Sequence, residues 1–179
     1  MLPHRQVLVR DFEIRDADAA SNVFYRAVHI GAKDFYDEAQ RMAWAGGKPE
    51  PVSWQKRLEV QVVKVAELNS IVIGFMTLTK HGKIDLAFVA PEAMGMGIAR
   101  KLYYAILVEA KRLGIKTLTT EASFLAQRFF KKYGWQTLQQ QIVTRGSIEL
   151  TNFLMKLEVS EIATNSGGDH SAKVANGVA

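Results

Sequence analysis

The hydrophobic pattern of the chain changes period between Ile84 and Gly114. An apolar run, Ile84–Val89, is typical of a strand and ends before Pro91. Apolar residues then recur at i, i+3 and i+4 spacing, which predicts an amphipathic helix that stops at Gly114. The residues on that helical face are Ala99, Leu102, Ile106, Ala110 and Leu113. The stretch therefore predicts a strand, a small-residue turn and a helix, in that order.

The same periodicities predict the elements on either side. Alternation and short apolar runs predict strands at Val7–Ile14, Val60–Ala66, Ile71–Thr79, Lys116–Ala122, Thr137–Thr144 and Ser147–Leu157. Helical spacing predicts helices from Asp16 or Asp18 to about Val28, from Asp34 (as N-cap) to Trp44, around Trp54–Leu58 and from Ser123 to Tyr133. The strands before and after the central helix are expected to be parallel, and the others antiparallel. We expect an α+β domain with one mixed sheet and helices on both faces.

Length and composition indicate one soluble globular domain. The chain has 179 residues, of which 48% are hydrophobic and 23% charged. There are no cysteines, which excludes disulfides and thiolate chemistry. No membrane span or signal-peptide pattern is evident, so we expect a cytoplasmic protein without membrane association. Residues 1–159 are predicted to form the domain, and the polar, aperiodic residues 160–179 a flexible tail.

The net charge is +5, which raises the question of nucleic-acid binding. The basic residues are scattered, however, and a surplus that faces an anionic small molecule explains the sign equally well. The four histidines lie far apart in the sequence, so we predict no metal site.

The turn before the central helix suggests an anion site. The first turn of a helix presents amides without intrahelical partners at the positive end of its dipole. Gly95, Gly97 and Ala99 are small enough for a phosphate to approach those amides, and Arg100 and Lys101 add positive charge. The alternative is a tight strand-to-helix turn that binds no ligand, because such a turn has the same spacing of glycines. The pattern is neither a P-loop nor a dinucleotide fingerprint, because no Lys-Ser or Lys-Thr follows and Arg100 replaces the third glycine.

Two motifs resemble those of the GNAT superfamily of N-acetyltransferases. Met94–Ala99 resembles its acyl-CoA-binding motif, with Gly97 and Ala99 at the small positions and Met94 where Gln or Arg is usual. Residues 123–135 resemble the family's Asn/Ser-x-x-Ala-x-x-[Phe/Leu]-Tyr-x-x-x-Gly-Phe run. A third pattern, similar to small bacterial single-domain members, comprises His29, Tyr36, Gln40, Trp44 and Trp54. The resemblance covers about residues 7–158 and implies a mostly antiparallel sheet of six to seven strands.

The resemblance implies that the chain uses acetyl-CoA to acetylate an amine directly. The open edge between Ile84–Val89 and Lys116–Ala122 is expected to align the pantetheine arm. The implied cofactor contacts are Phe88, Val89, Met94, Gly95, Met96, Gly97, Ile98, Ala99, Arg100, Ser123, Ala126, Phe129 and Lys132.

Four side chains are candidates for the proton transfers. Glu121 and Asp85 lie on central strands, where a carboxylate either acts as base or water positioner or makes a structural hydrogen bond. His29 suits a base at neutral pH, or is a half-buried structural histidine. Tyr36 is a replacement acid or a packing residue. It is considered because the family's usual tyrosine acid corresponds to Phe130.

The expected function is thus an N-acetyltransferase acting on a primary amine of a small molecule or peptide. A non-catalytic acyl-CoA-binding module is the alternative, because Phe130 lacks the acid's hydroxyl. A nucleic-acid-binding domain is suggested by charge alone, and we expect no nucleic-acid partner. A homodimer is compatible with the sequence, which does not specify the acceptor.

Overall fold

The computed structural model describes residues 6–159. Its strands are β1 (Leu8–Asp11), β2 (Val62–Leu68), β3 (Ile71–Leu78), β4 (Lys83–Ile84), β5 (Ala87–Val89), β6 (Thr117–Ala122), β7 (Gln136–Arg145) and β8 (Ile148–Glu158). Its α-helices are α1 (Ala17–Arg26), α2 (Glu38–Ala45), α3 (Pro51–Glu59), α4 (Ile98–Arg112) and α5 (Phe124–Lys131). A π-helical turn, Ala27–Gly31, continues α1. The tail predicted at 160–179 lies outside the described residues.

The strands form two four-stranded sheets, whereas the sequence predicted one. The first sheet has the order β1-β2-β3-β5 and is antiparallel. The second has the order β4-β6-β8-β7, with β4 parallel to β6 and the other pairs antiparallel. The α+β class, the predominance of antiparallel pairs and the predicted parallel pair are confirmed.

The division arises within the predicted strand Ile84–Val89. Its beginning, β4, pairs with β6, while its end, β5, pairs with β3. Between them, Thr77 N–H donates to Leu86 O at 2.9 Å and Leu86 N–H donates to Thr77 Oγ1 at 3.0 Å. An apolar run predicts extended backbone but not the neighbour with which each residue pairs. Within the described residues no ladder joins β5 to β6, so the open edge predicted here is present.

Helices cover both faces of the first sheet, as predicted. On one face α1 and α3 pack near β3, where the ring centroids of Trp54 and Phe75 lie 6.1 Å apart. On the other face α4 packs through the fully buried Leu102 and Ile106. Gly114 follows α4 with φ of 70°, which confirms the predicted helix stop. No helix in the described part of the chain is long and apolar enough to cross a bilayer.

The start of α2 differs from the prediction. The predicted cap, Asp34, lies in a turn, and the helix begins only after Asp37. Asp37 Oδ1 accepts from Gln40 N–H at 2.8 Å, and Asp37 N–H donates to Gln40 Oε1 at 3.1 Å. This reciprocal capping box favours Asp37. The segment before the helix contains the buried Tyr36.

Candidate functional site

The residues predicted to contact the cofactor line one cavity of about 630 Å³ between β5, α4 and α5. Those found in its wall are Phe88, Val89, Met94, Gly95, Gly97, Ile98, Ala99, Arg100, Ser123, Ala126, Phe129 and Lys132. Met96 is the exception, because its side chain points to solvent and is 53% exposed. We call this space the cofactor cavity.

One end of the cofactor cavity is formed by the glycine turn and the first turn of α4. Gly97 is the N-cap residue, and its φ of 76° lies in the left-handed region. A Cβ built on Gly97 meets no atom within 4 Å, so the space beside its backbone is open. Lys101 N–H donates to Gly97 O at 3.2 Å as the first bond of the helix, which leaves the amides of Ile98, Ala99 and Arg100 free to face the cavity. This end fits an anionic phosphate group, and Arg100 lies in its wall.

The other end of the cofactor cavity lies where β5 and β6 diverge. Phe88 of β5 and Ser123, which follows β6, both line it. Ser123 also begins α5, because its Oγ accepts from Ala126 N–H at 3.2 Å. The side of β5 that faces β6 is free to pair with an extended chain.

A second cavity, of about 170 Å³, lies on the far side of this gap. Its apolar wall includes Phe24, Val143 and Leu150, and its polar wall includes Arg57, Asp85, Glu121, Arg145 and Asn152. Trp44, Phe88 and Ser123 line both cavities. We call the second space the acceptor cavity and these three shared residues the junction. Molecules in the two cavities would therefore meet at the junction.

Glu121 lies in the wall of the acceptor cavity, two residues before the junction residue Ser123. Its Oε2 accepts from Lys83 Nζ at 3.0 Å. The Glu121 side chain is 47% exposed, so water reaches the carboxylate. Its position is that of a group able to take a proton from a molecule at the junction, directly or through water.

Asp85 also lies in the acceptor wall, but its carboxylate accepts hydrogen bonds from two side chains of the protein. Arg57 Nη2 donates to Asp85 Oδ2 at 2.9 Å, and Gln61 Nε2 donates to the same oxygen at 3.3 Å. Asp85 thus holds α3 and Gln61, two residues beyond it, beside the point where β4 and β5 divide between the two sheets. This arrangement favours the structural alternative for Asp85.

His29 lies away from the other candidates and lines neither cavity. Its Nε2 is 2.9 Å from Gly46 O, and its ring centroid is 4.4 Å from that of Tyr25. The π-helical turn directs the ring toward the end of α2. The contacts of His29 are therefore those of the structural alternative.

Tyr36 lies in the acceptor wall and is buried. Its hydroxyl donates to Thr151 O at 2.9 Å and accepts from Phe124 N–H at 3.3 Å. Burial raises the pKa of Tyr36, and the hydrogen bond from Phe124 only partly offsets this. The hydroxyl proton is thus engaged with a carbonyl, and Tyr36 ties the start of α2 to β8 and α5.

Phe130 lies in the wall of the cofactor cavity and is 1% exposed. Its ring centroid is 4.7 Å from that of Trp135, whose Nε1 donates to Tyr103 Oη at 2.9 Å. Tyr133 also lines the cofactor cavity, but follows α5. The eight residues of α5, about 12 Å of helix, separate Ser123 from the turn that holds Tyr133, and the charge of Arg100 acts on the Tyr133 hydroxyl. Tyr133 therefore stands near the Arg100 end of the cavity.

Four polar residues of the acceptor wall were not predicted, namely Arg57, Arg145, Thr151 and Asn152. Asn152 Oδ1 is buried and has no hydrogen-bond donor among residues 6–159. Asn152 and Arg145 lie on the β7–β8 hairpin, far in sequence from both motifs. The alternation of side chains along a strand is the sequence signal that could have found the hairpin residues. It places Arg145 on the same face of the hairpin as Val143 and Leu150.

Comparison with known proteins gives a consistent result. The family model described as "Acetyltransferase (GNAT) domain" matches residues 32–158. The uncharacterized N-acetyltransferase YafP of Escherichia coli (strain K12) is 32% identical over 150 residues, which cover 84% of this chain and 95% of the relative.

Solved structures match over the same region. A GCN5-related N-acetyltransferase from Rhodopseudomonas palustris has a TM-score of 0.79 and 28% identity, covering 84% of this chain and 94% of that chain. The PaiA N-acetyltransferase of Thermoplasma acidophilum, solved in complex with coenzyme A, has a TM-score of 0.68 and 18% identity, covering 86% of this chain and 99% of that one. At this lower identity the match concerns the fold.

Proposed function

Because the chain belongs to the GNAT family of acetyltransferases, we propose that it moves the acetyl group of acetyl-CoA directly to a primary amine of a small molecule or peptide. The observation that carries this proposal is the junction: Trp44, Phe88 and Ser123 form part of both cavities. An acyl donor and an amine placed in the two cavities are brought together without a covalent enzyme intermediate. The absence of cysteine from the sequence agrees with direct attack.

The residues of the cofactor cavity fit acetyl-CoA, which supplies an acetyl group activated as a thioester. The pyrophosphate is assigned to the free amides that follow Gly97, where the open space beside both Gly95 and Gly97 admits a phosphate. Arg100 supplies a compensating charge beside it. The pantetheine arm is assigned to the free side of β5, where its amides can pair with the backbone.

Glu121 is our candidate for the group that removes the proton from the acceptor ammonium. Only the neutral amine attacks, so a base or an ordered water is needed at the junction. Glu121 is accessible to water and is held by one exposed lysine, whereas Asp85 is held by Arg57 and Gln61.

No tyrosine is assigned as the acid that protonates the leaving thiolate. Phe130 has no hydroxyl, and the Tyr36 hydroxyl already donates to Thr151 O. Tyr133 stands toward the opposite end of the cofactor cavity. We therefore propose that the thiolate leaves without a side-chain acid, which a coenzyme A thiol permits as a fairly good leaving group.

An acceptor screen tests the proposal. The full chain is incubated with acetyl-CoA and polyamines, aminoglycosides, amino acids or peptides, while free thiol and acetylated product are measured. We expect at least one amine to release thiol above background hydrolysis, with one acetylated amine for each thiol. Cofactor binding without acetylation of any amine would instead indicate a binding module.

A further inference from the structure

The arginines within residues 6–159 divide into those that the described part of the protein engages and two that it does not. Within residues 6–159, hydrogen bonds, ion pairs or an aromatic contact engage Arg10, Arg15, Arg26, Arg41, Arg57, Arg112 and Arg128. Arg100 and Arg145 make none of these contacts in the described part of the chain. Arg100 lies in the cofactor cavity, at the end assigned to the pyrophosphate. Arg145 lies in the acceptor cavity.

The surroundings of Arg145 explain why it has no partner within residues 6–159. It ends β7 opposite Ile148, and its neighbours on the same face are Val143 and Leu150. These are apolar residues of the acceptor wall, and none can accept a hydrogen bond. The guanidinium thus stands at the edge of an apolar wall with its donors available to a molecule in the cavity.

The other charges of the acceptor cavity are compensated. Arg57 pairs with Asp85 at 2.9 Å, and Glu121 pairs with Lys83 at 3.0 Å. Among the described residues of the cavity wall, Arg145 is therefore the one charge that is not compensated. An acceptor that carries only an ammonium adds a second positive charge to this space, whereas an acceptor that also carries an anion balances Arg145.

We infer that Arg145 recognises an anionic group of the acceptor, a carboxylate or a phosphate, while the amine of the same molecule lies at the junction. The inference rests on the proposed function, since it names the acceptor of that reaction. A guanidinium suits this task because it offers paired donors that match either group. The acceptor is thus an amine that bears an anion, not a polyamine.

The register of the second sheet sets the spacing of the two groups. Ala122, next to the junction residue Ser123, pairs with Phe153, and Arg145 pairs with Ile148. The partners Phe153 and Ile148 are five residues apart on β8, which corresponds to roughly 17 Å of strand. The arginine side chain spans part of this distance. Several bonds therefore separate the amine from the anion, as in an ω-amino acid or a short peptide. The apolar wall between them suits a carbon chain.

Calorimetry of the full chain saturated with coenzyme A tests this without requiring turnover. The probes are 6-aminohexanoate and its neutral amide, with 5-aminopentyl phosphate and 5-aminopentanol to separate phosphate from carboxylate recognition. We expect one anionic probe to bind roughly 10- to 100-fold more tightly than its neutral partner, the usual effect of a charged hydrogen bond. Arg145→Gln should remove this preference and Arg145→Lys should retain part of it. Lys111→Gln, which removes one exposed charge from α4, should leave it unchanged.

Equal binding of the charged and neutral probes, or a preference that persists in Arg145→Gln, would overturn the inference. Initial rates with acetyl-CoA and the same probes separate its failure from that of the proposed function. Acetylation of neutral and anionic amines at equal rates contradicts the inference but supports acetyl transfer. Binding that depends on Arg145 without any acetylation supports the inference and contradicts the transfer reaction.

Discussion

Lys83 Nζ lies 3.0 Å from Glu121 Oε2, and this ion pair links β4 to β6 beside the junction. The two side chains are 38% and 47% exposed, so solvent screens their attraction. The pair therefore orients the Glu121 carboxylate more than it stabilises the fold. A carboxylate that is fixed in direction but still reached by water is suited to proton transfer.

Replacing Glu121 by Gln should lower kcat by roughly 10²–10⁴-fold, the usual contribution of one proton-transfer group. The affinity for acetyl-CoA should change little, because Glu121 lines only the acceptor cavity. Steady-state rates and cofactor titration measure both effects. Lys83→Gln is the matched variant: it removes the ion pair but keeps the carboxylate, and should retain most of the activity. Similar losses in both variants would assign Glu121 a structural role.

Replacing Gly97 by Glu should lower the affinity for acetyl-CoA by at least about 100-fold, since charged hydrogen bonds are each worth roughly 1.5–3 kcal/mol. The new carboxylate occupies the open space beside the free amides and repels a phosphate. Gly114→Glu is the control: φ is 70° at Gly114 and 76° at Gly97, and a Cβ at either position meets no atom within 4 Å. Both variants carry the same left-handed strain, about 1–2 kcal/mol. Calorimetry showing equal cofactor affinity in the two variants would refute the site assignment.

Replacing Phe130 by Tyr should raise kcat if the ring faces the thioester sulfur. The new hydroxyl would supply the acid that the chain lacks, a group worth up to roughly 10²–10⁴-fold. Stability should stay within about 1 kcal/mol if the hydroxyl reaches a polar partner from its place in the cavity wall. Tyr36→Phe and Tyr133→Phe should leave kcat nearly unchanged. A drop in melting temperature with no gain in kcat would assign Phe130 to core packing, and a large loss in either tyrosine variant would identify another acid.

Acid should destabilise the fold through Asp16. Burial alone would raise the pKa of Asp16, but hydrogen bonds from Arg10 and from Glu13 N–H outweigh it and hold the pKa below the usual 3.8. A lowered folded-state pKa stabilises the fold above the unfolded-state pKa, and this stabilisation is lost as the pH falls through the folded-state value. Melting temperatures between about pH 6 and pH 3 should therefore fall more steeply in the unmodified chain than in Asp16→Asn. Parallel curves would show that other carboxylates dominate the acid response.

Elements with strong local signals could be predicted from the sequence. The helix from Ile98 to Arg112 carries a regular apolar face and a glycine at each end, and both ends are local features. That the proposed cofactor contacts share one cavity could be anticipated because most of them come from two short motifs. The division of Ile84–Val89 between two sheets could not, because it depends on which strands β4 and β5 meet in space.

The acceptor cavity was less predictable because distant segments form it. In the sequence, Arg145 follows the predicted strand Thr137–Thr144 and precedes a glycine. This position indicates only a hairpin turn. Its place beside Leu150 and opposite the junction depends on the register of the second sheet. His29 shows the reverse case, in which the sequence left a structural and a functional interpretation open. Its residue type suits a base, but the π-helical turn directs its ring toward Gly46 O.

Initial-rate kinetics with acetyl-CoA and an accepted amine both varied test the central claim most directly. Direct transfer between joined cavities requires both substrates on the protein at once. Double-reciprocal plots should therefore intersect, and mass spectrometry of the chain with acetyl-CoA alone should show no acetylated protein. Parallel plots with a covalent acetyl-enzyme, or no transfer to any amine, would contradict the account.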